Sequence, residues 1–217
     1  MRPGLSIVLM IHGTSSMISA TVLQESKVQD ERGLRPVRLR LSEPFESIIA
    51  NNPEWKVERT ADGDTIFMSP TGGETGFRNS EINFQIVQWA RTNGGTTFDS
   101  STLFRLPNGA LRSPDAAWIK PDRWQALTSQ ERTAFPPIAP DFVIELRSTT
   151  DRLVDVREKM KEYISCGVRL GWLIDPLLRQ VHVYRPDQSP IILSDPETVS
   201  DESVLPGFIL DLSRIFH

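Results

Sequence analysis

The sequence predicts one domain of mixed α and β structure running from about Leu41 to the C-terminus, and three observations predict it. Apolar residues recur at helical spacing in two places, Ile82, Ile86, Trp89 and Ala90, and then Leu153, Val156, Met160, Tyr163 and Ile164. Short apolar runs bounded by turn residues recur in PDFVIELRS, GVRLGWLIDP and RQVHVYRP, which read as strands. The chain has 217 residues, 39% hydrophobic and 24% charged, enough to bury a sizeable core. No internal repeat or low-complexity linker divides it.

Met1 to Arg35 has mixed composition and weak periodicity. Residues 1–40 therefore read as a leader, either disordered or carrying an upstream start codon with the true start at Met10 or Met17, and residues 41–217 as the domain. LSEPFESIIANNP reads as a short helix capped by Ser42 and closed before Pro53. EWKVERTADGDTIFMSP gives two strands around a turn at Asp62-Gly63, and TGGETG a loop. A helix over Phe77 to Thr92 is stopped by Asn93-Gly94-Gly95. TTFDSSTLFRL and ALRSPDAAWI flank Pro107-Asn108-Gly109, a hairpin signal. PDRWQALTSQERTAF is a surface helix or turn-rich excursion. A strand over Phe142 to Arg147, a helix over Leu153 to Cys166 and two further strands follow, and PGFILDLSRIF closes the chain.

Composition narrows the function. The net charge of −4 argues against a generic nucleic-acid coat protein, although the 24 Lys and Arg can still form a local basic groove. The single cysteine, Cys166, cannot form an intrachain disulfide, which suits a reducing cytoplasm, and it reads as packing volume. One Cys and three scattered His offer no zinc ligand set. No apolar run approaches the ~18 residues of a membrane span, and LSIVLMI reads as neither signal peptide nor anchor.

Two carboxylates stand in apolar surroundings. Asp115 heads the run SPDAAWI, and Glu145 lies inside PDFVIELRS, about thirty residues on. Alternation puts Phe142, Ile144 and Leu146 on one face of the second strand and Asp141, Val143, Glu145 and Arg147 on the other. If the two strands are neighbours, Asp115 and Glu145 converge. Such a pair raises its own pKa values unless a cation intervenes, and Mg²⁺ takes hard oxygen ligands. The bland readings are a turn-capping carboxylate for Asp115 and a buried ion pair with a basic neighbour for Glu145.

Pro114-Asp115 followed by Glu145-x-Arg147 resembles the PD-(D/E)-x-K nuclease superfamily. TGGETGFRNSEI, LPNG-x-x-RSPDAAWIK, PDFVIELRS, KMKEYISCGVRLGWLIDP and LPGFILDLSRIF resemble the Uma-two family of that superfamily, over about Phe45 to Phe216. The resemblance implies a restriction-endonuclease-like fold, a central mixed sheet flanked by helices. It implies an endonuclease that hydrolyses phosphodiester bonds in DNA with Mg²⁺ or Mn²⁺, the metal held by Asp115, Glu145 and the Leu146 carbonyl. The sequence departs from the pattern at Arg147, where the superfamily has lysine. Arginine stays protonated and cannot act as a base, but it can neutralise phosphoryl charge. Some members supply the lysine from the following helix, and Lys159 is the candidate here, with Lys161 on the opposite edge as second choice. Glu81, on the long first helix, is a candidate additional acid.

Asp141 reads as a loop cap, and Trp118, Trp124 and Trp172 as core or rim packing. TGGETG lacks the Gly-Lys-Ser/Thr ending of a nucleotide-binding loop. The expected partner is DNA, with no membrane, and a homodimer is compatible with the reading. The alternative is a nuclease fold that has lost hydrolysis and serves as a binding or assembly module. Arg147 and the acidic charge favour that alternative.

Overall fold

The computed structural model describes residues 6–10, 17–22, 29–30, 33–34, 36–41, 44–52, 55–68 and 70–217. In chain order the elements are β1 (Ser6–Met10), β2 (Met17–Val22), β3 (Gln29–Asp30), β4 (Gly33–Leu34), β5 (Val37–Leu41), α1 (Phe45–Asn51), β6 (Val57–Arg59), β7 (Thr65–Phe67), α2 (Gly73–Asn93), β8 (Thr96–Asp99), β9 (Phe104–Arg105) and β10 (Leu111–Arg112). Then come β11 (Ala116–Ile119), α3 (Pro121–Ala126), α4 (Ser129–Thr133), β12 (Phe142–Leu146), α5 (Leu153–Ser165), β13 (Leu170–Asp175), β14 (Gln180–Tyr184), β15 (Ile191–Ser194), β16 (Thr198–Ser200) and β17 (Ile209–Asp211).

The central sheet runs β15-β14-β13-β12-β11-β8 and is mixed. β12 and β13 are parallel, and the other neighbours are antiparallel. A parallel pair needs a crossover, and α5 provides it. The alternation expected in β12 holds. Phe142, Ile144 and Leu146 pack with Trp118, Trp172 and the α2 residues Ile82, Ile86 and Ala90. Val143 packs on the opposite face with Ala117, Leu173 and the α5 residues Met160 and Tyr163. The closing segment adds Phe208, Leu210, Leu212 and Ile215 to the α2 side. The result is a mixed sheet flanked by helices, as the sequence implies.

A second, antiparallel sheet runs β1-β2-β5-β7-β6-β10-β9. Its β6–β7 hairpin turns at Asp62-Gly63, and its β9–β10 hairpin at Pro107-Asn108-Gly109, both as expected. β1 to β4 and most of β5 fall within residues 1–40, the stretch expected as a leader. Arg38 and Arg40 of β5 reach the hairpin, donating to Asp64 at 2.9 and 2.6 Å.

Two local expectations change. TGGETG is not all loop, because α2 begins at Gly73. Glycine costs a helix about 1 kcal/mol per residue relative to alanine. Here the cost falls on the first turn of a 21-residue helix anchored by Ile82, Ile86 and Ala90, and a Glu74–Arg78 pair at 3.2 Å ties that turn down. Ser42 lies outside the described residues, and α1 follows Pro44 with no side-chain cap. The helix stop is as read: Gly94 and Gly95 have φ of +83° and +89°. A Cβ at Gly95 would also stand 2.1 Å from Trp118 Nε1, so this turn requires glycine twice over.

Candidate active site

The segment Arg112-Ser113-Pro114-Asp115 passes from the second sheet to the central one. Antiparallel register pairs Ala116 with Ile144, which sets Asp115 opposite Glu145. Directly opposed residues hold their Cβ atoms roughly 4.5–5.5 Å apart. Leu146 donates its N–H to Asp115 Oδ2 at 2.9 Å, which locks the carboxylate at the strand end. One turn apart on α2, Asn79 donates to Asp115 Oδ1 at 3.4 Å and Asn83 to the Asp115 carbonyl at 3.0 Å.

From the other side, α5 lays Lys159 and Tyr163 over the sheet, four residues apart on one helical face. Both donate to Glu145 Oε1, the Lys159 ammonium at 2.8 Å and the Tyr163 hydroxyl at 2.9 Å. The Lys159 ammonium also lies 2.7 Å from Glu58 Oε1. Glu58 is in β6, where the register that pairs Leu111 with Arg59 sets it opposite Arg112. Arg112 donates to Glu58 Oε2 at 3.0 Å and to Glu162 Oε2 at 2.6 Å, and Ser113 N–H donates to Glu58 Oε1 at 2.9 Å.

These contacts divide the carboxylates. Burial pushes Glu145 up to about 7; the Lys159 charge pulls it down, and Asp115 and Glu58 push it up again. Burial likewise raises Asp115 against the Leu146 N–H that lowers it. Glu58 is as buried, but the charges of Lys159 and Arg112 outweigh desolvation and hold it down at about 2. Lys159 is raised above the ordinary lysine range, because Glu145 and Glu58 overcome the burial that would lower it. It is a fixed cation, as its place between two carboxylates requires.

Of the residues singled out from sequence, Asp115, Glu145, Leu146 and Lys159 come together. Lys161 points away, exposed and paired with Glu158 at 2.7 Å. Arg147 is not brought to Glu145 by its contacts; it donates to buried Asp175 at 2.8 Å and to the Asp151 carbonyl at 3.4 Å. Glu81 pairs with Arg214 at 2.8 Å, on the side of α2 away from Asn79 and Asn83. Asp141 is a loop cap as read, accepting from Lys120 N–H and Arg123, both at 2.9 Å.

Sequence reasoning missed Glu58, Arg112, Asn79, Asn83 and the role of Tyr163. From sequence Tyr163 reads only as part of the apolar stripe of α5. Glu58 carried no signal, since a glutamate between Val57 and Arg59 reads as the solvent side of a strand. Arg112, three residues before Asp115, was the nearest available clue.

Among the described residues no three His, Cys, Asp or Glu side chains gather as a metal cage. The donors present do fit one hard divalent cation that keeps several waters. Four carboxylates, Glu58, Asp115, Glu145 and Glu162, lie around Arg112 and Lys159, with Lys56 acting on Asp115 as well. Asp115 and Glu145 still lie above their ordinary carboxylate range, because burial outweighs the cations that reach them. Beside them, Asn79 Oδ1 is buried with no hydrogen-bond partner among the described residues. All of these are oxygen donors.

The molecule thus combines a mixed sheet flanked by helices with facing carboxylates on neighbouring strands and a lysine over them. The solved structures agree on the fold. The crystal structure of a "putative nuclease belonging to DUF820" from Anabaena variabilis matches with a TM-score of 0.63 and 23% identity, covering 74% of this chain and 89% of that one. The family model described as "Putative restriction endonuclease", Uma2, matches residues 42–213, and the chain belongs to that family. No curated protein matches it. No helix among the described residues is long and apolar enough to cross a membrane.

Proposed function

We propose that the protein is a metal-dependent DNA endonuclease that hydrolyses phosphodiester bonds. The observation that carries the reading is Asp115 opposite Glu145 with the Lys159 ammonium 2.8 Å from the latter. Asp115, Glu145 and the Leu146 carbonyl would hold Mg²⁺ or Mn²⁺, which when bound lowers the pKa of a water and polarises a phosphoryl oxygen. The chain's own groups do the rest. The Leu146 N–H fixes the Asp115 carboxylate. Tyr163 and Lys159 hold one oxygen of Glu145 and leave the other without a partner among the described residues. Lys159 keeps its proton, so it does not serve as the base; it steadies negative charge on the phosphoryl oxygens and orients the attacking water. DNA as substrate is supported by the description of the family.

The test is cleavage of supercoiled and linear DNA with Mg²⁺ or Mn²⁺. The parent should cut and Asp115→Asn should not. A second reading, a nuclease fold kept for binding alone, is favoured by one observation: Arg147, at the usual lysine position, is committed to Asp175. DNA binding without cleavage across metals and DNA forms would select it.

A further inference from the structure

The Lys159 ammonium is shared. Glu145 Oε1 lies 2.8 Å from it and Glu58 Oε1 2.7 Å, and the two carboxylates come from different sheets. They differ in what else holds them. Both oxygens of Glu58 are taken: Oε1 by Lys159 and the Ser113 N–H, Oε2 by Arg112. Arg112 is itself clamped by Glu162 at 2.6 Å. Glu145 has Tyr163 and Lys159 on Oε1 alone. If Glu145 were the sole partner of Lys159, turning toward a divalent cation would cost it that pair, and a loose ammonium would repel the cation.

We propose that Glu58 is a positioning residue. It anchors the Lys159 ammonium from the second sheet, so that Glu145 can serve a divalent cation while Lys159 stays beside the reacting phosphate. The proposal rests on the metal-site reading above and adds a residue that acts only through Lys159. The role needs a carboxylate that is buried, saturated and fixed by a strand, and Glu58 is all three: its side chain is 3% exposed, on β6 opposite Arg112 of β10. It also accounts for the Arg112–Glu162 pair, which keeps Glu58 from drifting toward the cation.

A double-mutant cycle on Mn²⁺ affinity, read by titration calorimetry without DNA, tests this. Glu58→Gln keeps shape and hydrogen-bonding capacity while removing the charge. It should weaken Mn²⁺ binding roughly 10-fold or more, the range seen for residues that orient metal ligands. In a Lys159→Met background the same change should have no further effect, because no ammonium remains to anchor. Unaltered affinity in Glu58→Gln overturns the proposal. So does an equal loss in the Lys159→Met background, which would make Glu58 a ligand in its own right. If the parent binds no Mn²⁺, the metal-site reading fails, and the anchoring claim is read separately. Lysine acylation mapped by mass spectrometry should then show Lys159 reacting faster in Glu58→Gln than in the parent, with exposed Lys161 as the internal standard. An unchanged ratio overturns the anchor.

Discussion

Two carboxylates hold one ammonium at nearly equal distances, and they belong to different parts of the molecule. Glu58 comes from the antiparallel second sheet and Glu145 from the central one. Glu58 is saturated by Lys159, Arg112 and a backbone N–H, and it stays charged despite full burial. Glu145 is equally buried but undersupplied, and it sits up at about 7. A carboxylate held with too few donors destabilises the fold, and under the proposed reading a cation would supply what Glu145 lacks. The difference teaches which group is scaffold and which is equipment: count the donors on each oxygen rather than the burial.

That comparison can be broken most forcefully at Glu58. Glu58→Ala leaves Arg112 and Lys159 buried with less negative charge, so stability should fall by about 3–5 kcal/mol, as for a broken buried pair. Urea unfolding measures it, and a loss under about 1 kcal/mol would mean that solvent or rearrangement replaces the contact.

Lys159→Ala comes next. Cleavage should slow by roughly 10²-fold or more, the usual effect of losing one charge-stabilising group. Metal binding should survive, since Asp115 and Glu145 remain. Undiminished cleavage would remove Lys159 from the reaction.

Glu145→Gln should act in the opposite sense on stability. A carboxyl whose folded pKa is raised to about 7 stabilises fully below its unfolded value near 4.5 and loses that contribution as pH rises toward 7. Removing the charge removes the loss. Without metal, the variant should melt about 2 °C or more above the parent at pH 8, with the gap closing toward pH 5. A variant less stable than the parent at pH 8 would make Glu145 scaffold like Glu58. Smallest of all, Lys161→Ala should change stability by no more than about 0.5 kcal/mol and leave cleavage alone, as its exposed pair with Glu158 indicates.

The central sheet was legible in the sequence because its residues obey simple periods. Phe142, Ile144 and Leu146 alternate with Val143 and Glu145, and Met160 and Tyr163 recur on one face of α5. The same periods put Lys159 at the helix–sheet seam and Lys161 in solvent. The second sheet was legible only at its two hairpins, β6–β7 and β9–β10, and there the turns carried the signal. Its strands β6, β9 and β10 are two or three residues long, too short to show a period, and β1 to β4 fell in a stretch of weak patterning. Glu58 was invisible for that reason: its partners lie 54 and 101 positions away, and only the register of β6 against β10 and the path of α5 bring them together. Arg147 shows the opposite limit. The face it takes was readable, but not that Asp175, on the next strand, would claim its charge.

The most direct test of a metal site at Asp115 and Glu145 is a crystal soaked in Mn²⁺, examined by anomalous scattering. One peak should lie between the two carboxylates, within about 2.2 Å of an oxygen of each, with the Lys159 ammonium still on Glu58. No peak there, or a peak bound elsewhere with Glu145 still paired to Lys159, would contradict the account.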